Sequence, residues 1–146
     1  MGNRIKILEI EPQAYKAMAG LEAYISSTPL KKSHKELIKI RASQINGCAY
    51  CIDMHTKDAL KQGETAQRIF LLNAWRETDL FTEEEKAILA LTEEVTLIHQ
   101  HGVSDAAYEA AAGLFDKNYL AQLVMMIVAI NGWNRIQVTC QVQPTG

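Results

Sequence analysis

Three side chains in one short stretch are able to do chemistry together. The run Asn46-Gly47-Cys48-Ala49-Tyr50-Cys51-Ile52-Asp53-Met54-His55 sets two thiols and an imidazole at i, i+3 and i+7. On a helix that spacing puts all three on one face. Two thiols one turn apart can close a disulfide when the backbone allows it. Gly47 places the pair at a helix start, where free N–H groups and the helix dipole favour a thiolate. His55, four residues beyond Cys51, can exchange a proton with either thiol. A free thiol has a pKa of about 8.5 and needs such help for fast attack at neutral pH. Zinc is the rival reading, since Cys48, Cys51 and His55 supply three ligands and Cys140, His99 or His101 a fourth. Against it, the chain has no second Cys-x-x-Cys and no His-x-x-x-His, and single-helix spacing is unlike a turn-based zinc knuckle.

The elements that must hold these residues read as helices almost throughout. Tyr15, Met18, Leu21 and Ile25 recur at helical steps from Pro12 to Ser26, and Ser27-Thr28-Pro29 breaks the pattern. Ser33 with Glu36 three residues on has capping-box spacing, and the helix it opens stops at Asn46-Gly47. A helix from about Cys48 to Gln62 ends at Gly63, and another is marked by Ala66, Ile69, Phe70, Asn73 and Ala74. Thr82 to Glu85 is a second capping box, opening a helix that stops near Gly102. Ser104-Asp105 caps a short alanine-rich helix, and Asp116 caps a last one from about Lys117 to Val138. That last helix is apolar nearly all round, so it should be covered on both faces, partly by another subunit. Only Ile5 to Ile10 could be extended. The expectation is all-α: one compact domain over residues 1–146, with about six or seven helices.

Composition narrows the function classes. The 146 residues are 48% hydrophobic and 22% charged, the balance of one globular domain, and a chain this long buries roughly two-thirds of its unfolded surface without disulfide staples. With 15 Lys plus Arg against 17 Asp plus Glu, the net charge is −2, and there is no basic excess for nucleic acid. Charges interrupt the first residues before a signal-peptide core forms. Met1-Gly2 is not a myristoylation signal, because Lys6 stands where Ser or Thr is needed. The most apolar run, Tyr119 to Ile130, is about half a membrane span. No membrane partner is expected, and the expected compartment is the cytoplasm. There a close cysteine pair means redox or metal chemistry rather than a structural staple.

Glu36, Cys48, Tyr50, Cys51 and His55 together fit the pattern E-x11-C-x-[HY]-C-x3-H. The stretch from about Ser33 to Gly63 resembles the alkyl hydroperoxidase D (AhpD-like) branch of the carboxymuconolactone decarboxylase family. The tail Asn131-Gly132-Trp133-Asn134-Arg135 resembles the ending of its short members. The resemblance implies an all-α, AhpD-like fold and a homo-oligomer, a trimer or hexamer, with sites near subunit contacts. It also implies roles. Cys51 would be the peroxidatic thiol, oxidised to a sulfenic acid by a small hydroperoxide, and Cys48 would resolve it as a disulfide. His55 and Glu36 would form the proton relay. A dithiol donor such as a dihydrolipoyl group, on a lipoyl-bearing protein, would re-reduce the pair, with no cofactor bound. Helix electrostatics alone favours Cys48 as the more acidic thiol, the opposite assignment. Tyr50 stands where the best-studied type has His, and tyrosine hydrogen-bonds without accepting a proton near pH 7.

The reading is therefore a thiol-dependent peroxidase working through a Cys48–Cys51 cycle. A general disulfide reductase or thiol relay uses the same pair. A lyase acting on a carboxylated lactone shares the resemblance, but needs no cysteines. A zinc-stabilised or redox-sensing module is the non-enzymatic rival. The other residues carry plainer expectations. Glu36 has a local reading as a helix-start residue, and His34 reads as solvated in a first helical turn. His99 and His101 suit a helix C-terminus, and Cys140 reads as an ordinary thiol. Asn131 and Asn134 need hydrogen-bond partners if buried, and Trp75 and Trp133 read as core or interface anchors. Met125-Met126 is core filler, and Asp58, one turn past His55, reads as a surface carboxylate.

Overall fold

The helical periods along the chain do fold as helices. In a computed structural model that describes residues 3–146, the elements are α1 (Ile7–Ile10), α2 (Pro12–Ser26), α3 (Lys32–Asn46), α4 (Ala49–Lys61), α5 (Ala66–Phe70), a 3-10 segment (Leu72–Glu77), α6 (Glu83–Thr96), α7 (Ile98–His101), α8 (Asp105–Leu114) and α9 (Lys117–Thr139). The described residues contain no strand. The reading of Met1-Gly2 lies outside them. No helix among them is long and apolar enough to cross a membrane.

Among the described residues ten helices, the 3-10 segment included, stand where six or seven are expected. Six have ten residues or more: α2, α3, α4, α6, α8 and α9. The surplus is short pieces. Ile7–Ile10 is a single helical turn rather than extended chain. The segment after Thr65 splits, with Ala74 leaving helical geometry at φ −119° and ψ 27°. Leu97, at φ −98° and ψ 35°, severs α7 from α6.

Local chemistry sets most of the long starts. Thr82 and Glu85 close a reciprocal capping box, and Ser104 and Asp116 each accept a backbone N–H at their helix start. Ser33 does not cap α3, which starts one residue before it with Lys31 at the N-cap and no side-chain bond.

Two apolar clusters meet on α3. Ile38 and Ala42 join Ile88 and Leu91 of α6 and Leu123, Met126, Ile127 and Ile130 of α9. Leu37 and Ile40 join Ala59, Ile69, Leu72, Trp75, Phe81 and Leu89. The helix buried on opposite sides is thus α3, which also encloses His34, Glu36 and Ser43. Within the single chain Val128 and Val138 of α9 stay exposed, the part of its surface for which cover by another subunit is expected. His34 is not solvated. It is 3% exposed, with Nδ1 2.8 Å from the Tyr119 hydroxyl. Burial, with Lys31 nearby, lowers its pKa.

Candidate active site

The cysteine pair sits at the joint between α3 and α4. Gly47 ends α3 in the left-handed region at φ +66°, a conformation that L side chains resist. Around it the Gly47 N–H donates to Gln44 O (3.3 Å) and the Cys48 N–H to Ser43 O (3.0 Å), a Schellman closure that delivers Cys48 to the start of α4. Cys48 is the N-cap of α4, so the pair does sit at a helix start, with Cys48 one residue ahead of the first turn. Its sulfur accepts the Cys51 N–H at 3.2 Å. Cys48 and Cys51 are joined by a disulfide, with Cα atoms 5.2 Å apart.

A polar bracket holds this joint against α9. Asn46 Nδ2 donates to both Asn131 Oδ1 and Asn134 Oδ1 at 2.9 Å, and Asn134 Nδ2 donates to Ser43 Oγ at 2.9 Å. Asn131 Nδ2 donates to Thr96 Oγ1 at 3.0 Å, tying in α6. Asn131 and Asn134 thus have the partners that burial requires.

Cys51 and His55 lie one turn apart on α4 and both line a cleft of about 240 Å³. Its other walls are Tyr50 and Met54 of α4, Tyr15 and Glu22 of α2, and Trp133 and Gln137 of α9. Cys48 does not line it. Both cysteines are 1% exposed, so the pair meets the cleft edge-on through Cys51. Trp133 is a cleft wall rather than a core anchor. Its Nε1 donates to Glu22 Oε1 at 2.9 Å, and its ring meets Tyr15 edge-on at 5.3 Å. Trp75 is a core anchor, 6% exposed.

Glu36 of α3 lies behind His55. Its Oε2 is 3.8 Å from His55 Nδ1, and neither atom has a hydrogen-bond partner. Glu36 Oε1 takes Lys39 Nζ at 3.4 Å. Burial pushes the Glu36 carboxyl up, with Lys39 opposing. Burial, with Lys39 adding to it, pushes His55 down to about 4, although Asp58 works the other way. A neutral imidazole therefore faces a reluctant carboxylate. If Nδ1 carries the proton toward Glu36, Nε2 is left as the acceptor. Glu36 lies beside His55 and does not cap α3.

The structure thus brings Cys48, Tyr50, Cys51, His55 and Glu36 into one locality. It does not add Cys140, His99 or His101 as zinc ligands. No group of three His, Cys, Asp or Glu among the described residues is placed to hold a metal. The sequence singles out none of Tyr15, Glu22, Met54 and Gln137 as site residues, although Tyr15 falls on the periodic stripe of α2. Tyr15 and Glu22 sit seven residues apart, on one face of α2, and that spacing was the available signal.

The profile of the carboxymuconolactone decarboxylase family matches residues 12–94. The uncharacterized protein YdfG of Bacillus subtilis (strain 168) is 46% identical over 138 residues, 94% of each chain. Among solved structures, a protein of unknown function from Agrobacterium tumefaciens, ATU0492, proposed as an antioxidant defence protein AhpD, superposes with a TM-score of 0.95. It is 40% identical, over 98% of both chains. The debrominase Bmp8 shares the fold at a TM-score of 0.84 and 18% identity, over 95% of this chain and 75% of that one. The matched profile, the full-length relative and the all-helical frame around the cysteine pair agree: this chain belongs to the carboxymuconolactone decarboxylase family, with an AhpD-like fold.

Proposed function

We propose that the protein is a thiol-dependent peroxidase that reduces organic hydroperoxides through the Cys48–Cys51 pair. The observation that carries this reading is the disulfide itself, presented to a cleft by Cys51 beside a neutral His55. In the reduced protein, the Cys51 thiol passes its proton to His55, and the thiolate attacks the terminal oxygen of R–OOH. The O–O bond breaks, R–OH leaves with a proton, and Cys51 becomes a sulfenic acid. Cys48, as its thiol gives up a proton, then attacks the Cys51 sulfur, and the hydroxide that leaves takes that proton as water, which leaves the disulfide. A dithiol returns two electrons and two protons by exchange. Glu36 stabilises the imidazolium while His55 holds the proton. Tyr50 contributes a hydroxyl at the cleft wall and no proton acceptance.

Access supports Cys51 as the attacker, since it lines the cleft and Cys48 does not. The N-cap position of Cys48 suits a good leaving thiolate in the exchange step, because helix-start N–H groups stabilise its charge. The proposed compartment is the cytoplasm, whose thiol pool returns the pair to its reduced state.

The test is peroxide consumption with a dithiol donor for wild type, Cys51→Ser and Cys48→Ser. Turnover should vanish in Cys51→Ser. Cys48→Ser should consume about one equivalent and stall with a sulfenic acid that dimedone traps. Wild-type protein that exchanges disulfides quickly but consumes no peroxide would move the assignment to a disulfide reductase or thiol relay. Lactone decarboxylation that survives in the double Ser variant would move it to a lyase.

A further inference from the structure

We propose that Glu22 makes this a cleft for uncharged substrates, so that both the peroxide and the dithiol donor must lack a carboxylate near the reacting group. The proposal rests on the thiol-exchange chemistry above and adds the substrate class.

Among the described residues, Glu22 is the one ionisable acid or base of the cleft walls apart from His55, the tyrosines and Cys51, and none of them that lines the cleft is a lysine or arginine. Lys39, the lysine whose charge bears on His55, is engaged with Glu36, and Lys6 lies in an adjoining hollow that shares Tyr15, Tyr50 and Gln137 with the cleft, where it pairs with Glu9 at 3.5 Å. His55, with its pKa near 4, brings no positive charge at neutral pH. The carboxylate is also held in place. Trp133 Nε1 grips Oε1 at 2.9 Å, and Tyr15 buttresses the indole edge-on. A fixed negative charge in a partly enclosed, aromatic-walled cleft is screened less than one on an open surface. The remaining walls, Tyr15, Tyr50, Met54 and Trp133, suit an apolar body. A carboxylated ligand would lose solvation on those rings, meet Glu22, and find no cation among the described cleft walls to pair with. The same argument disfavours a carboxylated lactone.

The reduction half-reaction tests this without requiring any peroxide chemistry. A dithiol thiolate attacks Cys51 Sγ, the Cys48–Cys51 bond breaks, and Cys48 leaves as a thiolate that takes up a proton. The second dithiol sulfur then displaces Cys51 and closes the donor's own disulfide. Dihydrolipoamide and dihydrolipoate carry the same two sulfurs, and only the second bears a carboxylate. Oxidised protein should be reduced about tenfold faster by dihydrolipoamide than by dihydrolipoate at low salt. Salt should narrow the ratio. Glu22→Gln, which keeps an oxygen for Trp133, should bring the ratio to within about twofold, and Glu22→Lys should invert it. Glu109→Gln on α8, an exposed acid outside the cleft, removes the same net charge and should leave the ratio as in wild type. Equal wild-type rates with the two dithiols overturn the proposal, as does a ratio that Glu22→Gln leaves intact or that Glu109→Gln removes. A protein that discriminates in this assay yet consumes no peroxide would overturn the peroxidase reading and leave the charge selection standing.

Discussion

Two atoms facing each other without a hydrogen bond, Glu36 Oε2 and His55 Nδ1, mark where this protein holds groups against their solvation preference. Such placement costs stability and is retained where protonation chemistry uses it. The two groups act on the pH dependence with opposite signs. His55 has a folded pKa near 4, below its unfolded value of about 6.5, so its contribution is present above pH 6.5 and lost as pH falls through 4. The shift corresponds to roughly 3 kcal/mol when fully expressed. Glu36 is raised, so its contribution is present at low pH and lost as pH rises through its folded value. Denaturant titrations at pH 7.5 and 4.5 should show His55→Gln losing about 2–3 kcal/mol less than wild type on acidification. Glu36→Gln should be at least as stable as wild type at pH 7.5 while its thiol turnover falls. A Glu36→Gln protein that is less stable and fully active would make Glu36 a structural residue.

At the scale of elements, the joint between α3 and α4 depends on the asparagine bracket as much as on its own turn. Asn134 is fully buried and bonds both Asn46 and Ser43, the residues on either side of the last turn of α3. Asn134→Ala leaves a buried acceptor and donor unmatched and should cost about 2–3 kcal/mol, read as a shift in denaturation midpoint. It should also slow disulfide closure, because Cys48 is no longer held in register. The caps at Thr82, Ser104 and Asp116 were legible in the sequence because a side chain and its backbone partner lie within three residues. The cysteine–histidine face was legible for the same reason. What could not be read locally was decided by tertiary packing. Ser33-x-x-Glu36 has a good capping pattern, yet burial of Glu36 against α4 overrides it and the helix starts earlier. His34 looks solvated until Tyr119, 85 residues away, closes over it. The break at Ala74 has no glycine or proline to announce it. Glu22 and Trp133 find each other across 111 residues, a pairing that no local spacing encodes.

At the scale of the whole molecule, the largest unexplained exposure is Phe70, 76% accessible at the end of α5. It borders a hollow of about 410 Å³ with Ile52, Leu60 and Ile69, so one face carries both an aromatic knob and an apolar recess. We propose that a second copy of the chain covers this patch. Sedimentation velocity should find an assembly in wild type and a smaller species for Phe70→Asp. An unchanged sedimentation coefficient in that variant would place the contact elsewhere. The monomer fold should tolerate the change, because the side chain makes no core contact to lose.

The proposed cycle has one opening. Cys51 lines the cleft and Cys48 does not. On that proposal the oxidant and the reductant come to the same sulfur past the same walls, so the two half-reactions take turns, with the protein carrying the debt of two electrons between visits. Kinetically this is ping-pong traffic, in which a surplus of either visitor that lingers in the doorway delays the other. The shared doorway sets their order.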